Sequence, residues 1–217
     1  VPHRSRCTLT RVQRGLEALY RVNTGCAVGD FVVGTEYRDE LVHARRAREQ
    51  LLVVETDGEL NVALYLEPSV ISNLDSHDPS HRLGDHNLGD FLLAIEGVSH
   101  FIYTVCCARA ERRVSQLELE LQAEVDKYVT CLLTTEPEVA MSTTLRRRLF
   151  DDAAYDPDLD DEEHDRYRAA NDNANRYAEY LEETFVARRR IPEMLAELRR
   201  FYRQGLAAKL ATIARAA

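Results

Sequence analysis

Lysine is almost missing from this chain: only Lys127 and Lys209 occur, and arginine carries the remaining positive charge. A guanidinium stays charged at any relevant pH and forks onto carboxylates or phosphates, although the base composition of a genome produces the same bias. Cysteine is sparse and unpatterned. Cys7, Cys26, Cys106, Cys107 and Cys131 are odd in number and include no Cys-x-x-Cys pair. Free thiols packed as small hydrophobes in a reducing cytoplasm are therefore expected. The sequence also lacks Gly-x-Gly-x-x-Gly, a P-loop and Gly-x-Ser-x-Gly, so no nucleotide-binding or nucleophile-elbow signature is present. No apolar run follows the N-terminal basic residues, and the most apolar stretch is interrupted by Asp90, Glu96 and His100. A cytoplasmic protein with no membrane span is the expectation.

What is present is enough apolar material for a substantial core. The 217 residues are 45% hydrophobic and 30% charged, the balance of an ordinary globular protein of one large domain or two small ones. The net charge of -9 disfavours nucleic acid and anionic membranes as partners of the whole chain, because phosphate attraction needs a positive field.

Periodicity predicts a mainly helical α+β fold. Val12, Leu16, Leu19 and Tyr20 recur at helical spacing, and Gly25 suits a helix stop. Residues 31–33, between glycines, suggest a short strand, and residues 40–49 read as a polar helix. Residues 50–66 form the clearest β signal: QLLVVET, Asp57-Gly58 and ELNVALYL make an antiparallel hairpin whose turn tolerates positive φ. Leu60, Val62, Leu64 and Leu66 share one side of it, so that side needs a partner. The partner expected is a buried helical hairpin, residues 88–110 and 114–133, whose first helix is apolar nearly all round. Its small residues Gly97 and Ser99 allow a neighbouring element to approach closely. Composition changes at Glu136-Pro137, which divides the chain into an α+β portion, 1–135, and a helical portion, 136–217, packed as one unit. The second portion contains an acidic loop and helices lined by Tyr167, Ala170, Ala174, Tyr177, Leu181 and Phe185, then by Met194, Leu198 and Phe201.

Four groups of residues invite chemistry. Glu96 and His100 lie one helical turn apart and share a face. Glu118 and Gln122 do the same on the next helix, so antiparallel packing would let the pairs face each other as acid, base or metal ligands. Neither the Glu-x-x-His of di-iron bundles nor His-Glu-x-x-His is present. The loop of residues 75–90 carries His77, His81 and His86 among four aspartates, donors suited to a divalent metal. Its Asp, Ser, Gly and Pro content also describes a loop of turns and helix caps. Alternating Asp156, Asp158 and Asp160 resemble a calcium loop without its glycine and closing glutamate, and acids at a helix N-terminus account for residues 160–163. Finally, arginines cluster at 146–148, at Arg188 and Arg189, and at Arg199, Arg200 and Arg203. Phe201 and Tyr202 lie among the last of these as aromatic faces for bases. Pairing with acids of the same chain is the more economical use of these arginines.

The reading these features favour is a non-catalytic cytoplasmic interaction or assembly protein that binds itself or a protein partner. The first alternative is a metal-dependent or acid–base enzyme using Glu96 and His100 with Glu118 or Gln122, its cofactor a divalent metal. The second is an arginine-mediated nucleic-acid binder.

Overall fold

A computed structural model describes residues 5–41, 47–56, 59–135, 137–152 and 159–216. The chain forms two compact units, one of residues 1–18 and 22–113, the other of residues 19–21 and 114–217. The division falls ahead of residue 114, whereas composition placed it at 135/136. The reason is packing: the helix over 116–134 buries its stripe against helices of the C-terminal unit.

In the first unit, α1 (Ser5–Tyr20) buries Leu9, Val12 and Leu16. The helix stops at Arg21, which takes φ +53°, while Val22 N–H donates to Glu17 O at 3.0 Å. That is the left-handed stop usually given to glycine; Gly25, at φ +67°, shapes the following loop instead. Strand β1 (Val32–Val33) and helix α2 (Thr35–Leu41) precede the hairpin β2 (Glu49–Thr56) and β3 (Glu59–Leu66). Residues 42–46 and the Asp57-Gly58 turn lie outside the described residues. The polar helix expected over 40–49 is corrected at both ends: α2 begins at Thr35, and Glu49 is already strand, paired with Leu66.

The sheet order is β1-β3-β2. β1 runs parallel to β3, with Val32 opposite Leu64, and β2 runs antiparallel from Glu49/Leu66 to Thr56/Glu59. Burial along β3 deepens toward its end instead of alternating: Leu60, expected on the covered side, is 39% exposed, whereas Leu64, Tyr65 and Leu66 are all buried. Tyr65 is on the side away from Leu64, and there the guanidinium of Arg38 from α2 lies 4.2 Å from its ring centroid. Helix α3 (Pro68–Ser76) carries its proline in the first turn, where the missing N–H costs nothing. Both α3 and the hairpin pack on α4 (Leu88–Arg109). By length and composition α4 is apolar enough to cross a membrane, so its polar residues do not disqualify it as expected. Yet 67% of its most apolar window is buried inside the structure, as in a core helix of a folded domain.

The second unit is helical. Helix α5 (Gln116–Thr134) is capped by Ser115, which accepts from Glu118 N–H, and it buries Leu121, Val125, Tyr128 and Leu132. It packs on α6 (Val139–Arg146) and most extensively on α7 (Asp161–Leu181). The acids at the start of α7 form a capping box. Asp160 accepts from Glu163 N–H at 2.8 Å, and the Glu163 carboxylate accepts from Asp160 N–H at 3.3 Å. Asp160 is thus a helix cap, and the rest of the supposed calcium loop, Asp156 and Asp158, lies outside the described residues. Helix α7 leaves through a π-helical turn over Glu182–Val186, followed by α8 (Ile191–Tyr202) and α9 (Leu206–Ala216).

Candidate functional site

Helical geometry places Glu96 and His100 on one side of α4, one turn apart. The hairpin adds a third group. Because β2 begins at Glu49, opposite Leu66, the glutamate is on the sheet side that meets α4. One ligand atom each from Glu49, Glu96 and His100 lies within 4.8 Å of the other two. His100 Nδ1 stands 3.7 Å from Glu49 Oε1, and the two side chains are only 8% and 7% exposed. Among the described residues this is the one set of three or more His, Cys, Asp or Glu donors in mutual reach.

Gly97 makes the approach possible. A Cβ there would lie 2.7 Å from Leu64 Cδ1, 3.0 Å from Glu49 Oε1 and 3.2 Å from Glu49 Cγ. The small residue therefore seats both the core leucine of β3 and the carboxylate of β2. One turn beyond His100, Thr104 continues the same polar stripe. Its hydroxyl is buried and has no hydrogen-bond partner. Next to Glu49, Arg48 is tied to Glu67 at 2.5 Å and to Asp90 at 2.9 Å, and Asn73 donates to Asp90 at 2.7 Å. These bonds fix the start of β2 against α3 and the first turn of α4. The hydrogen bond from Arg48 holds the Glu67 carboxyl below its ordinary range.

Glu49 was legible only as the end of a polar helix. Reading the hairpin alternation back from Leu51 by two residues would have exposed a charged side chain on the core side of a strand.

Glu118 and Gln122 belong to the second unit and have their own surroundings there. Both are buried. Gln122 is the hub of a dry polar network: its amide donates to Asp126 at 2.9 Å and to the Tyr20 hydroxyl at 3.2 Å. Its carbonyl accepts from Lys209 Nζ at 2.5 Å. Tyr20 hydrogen-bonds Asp126 as well. Burial, and then the Asp126 charge, push the Tyr20 hydroxyl pKa far up, so it remains a donor. Lys209 is fully buried, its ammonium 5.1 Å from the Phe201 ring centroid.

The histidine loop mostly holds itself together. His77 and His86 meet edge to face, with centroids 5.1 Å apart, and His77 Nδ1 is 2.9 Å from Asn73 Oδ1. Asn87 bridges the carbonyls of His77 and Arg82 and accepts from Gly84 N–H. His77, His81 and His86 are exposed and do not enter the ligand grouping found among the described residues.

Several arginines pair internally: Arg146 with Glu179 and Glu182, Arg190 with Glu193, and Arg200 with Glu197. Arg188 and Arg189 are exposed on the turn before α8. The aromatic faces expected between the last arginines are not available to bases. Tyr202 is buried and stacked on Tyr20 at 3.9 Å, and Phe201 is buried and stacked on Tyr177 at 4.0 Å. Apolar α8 positions at helical spacing turned both rings inward. No family model, curated protein or solved structure matches the chain.

Proposed function

We propose that this chain binds a divalent transition-metal ion through Glu49, Glu96 and His100 and acts as a metal-dependent enzyme. The observation that supports it is the convergence of two carboxylates and an imidazole, from two elements far apart in sequence, within 4.8 Å of one another. Carboxylate and imidazole suit zinc, manganese or iron(II), and the two negative charges balance a divalent cation. Three protein ligands leave a coordination position open, the pattern of catalytic rather than closed structural sites. A metal there would lower the pKa of a bound water toward neutrality. Thr104, one turn on, supplies a buried hydroxyl to the same stripe.

The test is titration of metal-free protein with cobalt(II), followed by calorimetry and visible absorption. One equivalent should bind, and His100→Ala should weaken it by more than about a hundredfold, beyond the effect of removing an outer-shell partner. Wild-type protein that takes up no stoichiometric metal refutes the reading.

Self-association is a second reading, favoured by one observation. β2 is an edge strand, and its outer half exposes Val53 and Val54 at 46% and 47%. Antiparallel pairing with β2 of a second copy, centred between Leu52 and Val53, sets Leu51 against Val54 and Gln50 against Glu55. No like charges meet in that register, and the strand carries none of the lysines or prolines that usually blunt an edge.

A further inference from the structure

The end of α1 and the end of α8 meet in the second unit through arginine. Arg199 Nε donates to Leu19 O at 2.7 Å. Arg203 donates to Tyr20 O at 3.3 Å and to Arg199 O at 2.7 Å. Arg21 follows directly, in the left-handed conformation at φ +53°, where glycine would be less strained. Helix-end carbonyls carry partial negative charge and welcome a cation. They do not neutralise three full charges.

No carboxylate pairs with Arg21, Arg199 or Arg203 among the described residues. The acids of α8 are engaged elsewhere, Glu193 with Arg190 and Glu197 with Arg200. Each guanidinium has five N–H donors, and the carbonyl bonds use few of them. Arg199 is only partly exposed. Desolvation, and then the charges of Arg21 and Arg203, draw its pKa below the ordinary arginine value. The three cations repel one another, and an anion between them would relieve this.

We propose that Arg21, Arg199 and Arg203 form an oxyanion site for a single phosphate group, carried by inorganic phosphate or a small phosphomonoester. Arginine forks match phosphate geometry. A polynucleotide fits less well. Phe201 and Tyr202 are buried against other rings, leaving no stacking platform, and the chain's net charge of -9 repels a long polyanion.

The experiment titrates the full chain with sodium phosphate, with ethyl phosphate and with a short single-stranded oligonucleotide. Each is measured by calorimetry against sodium chloride at matched ionic strength. Phosphate or its ester should bind in excess of chloride, and the stronger of the two identifies the source. Arg199→Gln and Arg203→Gln should each weaken binding about tenfold or more, while Arg200→Gln should leave it unchanged. Arg21→Gly separates binding from folding: it relieves the left-handed backbone, so melting temperature should hold or rise while phosphate affinity falls. Phosphate binding no better than chloride overturns the proposal. So does an equal loss in Arg200→Gln, an unchanged affinity in Arg21→Gly, or a preference for the oligonucleotide.

Discussion

Gly97→Ala separates the stability of the first unit from the integrity of its candidate metal site. Alanine in place of glycine inside a helix gains about 1 kcal/mol from backbone entropy. The new methyl, however, would sit 2.7 Å from Leu64 Cδ1. Leu64 is fully buried, and overpacking of such a position costs about 1–3 kcal/mol. The two effects nearly offset, so urea unfolding should show a net loss of roughly 0–2 kcal/mol. The carboxylate is affected differently. Glu49 Oε1 at 3.0 Å and Cγ at 3.2 Å must both retreat, and Oε1 is the atom 3.7 Å from His100 Nδ1. Moving one donor by a few tenths of an ångström should lower cobalt(II) affinity about ten- to hundredfold, the scale of outer-shell disruptions. Gly89→Ala is the control, since nothing lies within 4 Å of its added Cβ. It should leave affinity unchanged. Wild-type affinity in Gly97→Ala, alongside a measurable loss of stability, would refute the idea that this glycine positions the ligand.

Two further substitutions probe the other arrangements. Tyr20→Phe removes a buried donor to Asp126 and should cost about 1–3 kcal/mol in denaturant unfolding, the price of leaving a buried acceptor short of a partner. A change too small to resolve would mean that Gln122 and Lys209 alone satisfy the network. Val53→Lys places a charge on the exposed edge of β2. If the strand self-pairs, light scattering should show a smaller species than wild type; an identical mass for both proteins rules that pairing out.

The fold class was readable because local patterns carried it. The hairpin pattern at 50–66 and the apolar run from Leu88 became β2, β3 and α4 within a residue or two. On α5 the spacing of Glu118 and Gln122 was legible, but not that Gln122 bonds Asp126 one turn further on. Partners were much harder to read. Helix α5 looked like the second arm of a hairpin with α4, yet its extensive packing is on α7. An amphipathic stripe shows that a face is buried without saying against what. The aromatic residues of α8 failed for a related reason. Their proximity to arginines suggested exposure, but helical phase put the rings on the buried side and the guanidiniums at its margin.

By itself the sequence determined the spacing of Glu96 and His100, because one turn of any α-helix sets residues four apart on one side. It determined likewise that Gly97 leaves room there. Only the tertiary structure decided that Glu49 fills that room, and that Arg21 joins Arg199 and Arg203. Local periodicity is a property of a few neighbouring residues. The meeting of distant ones depends on strand register and helix packing, which buried area across the whole unit selects.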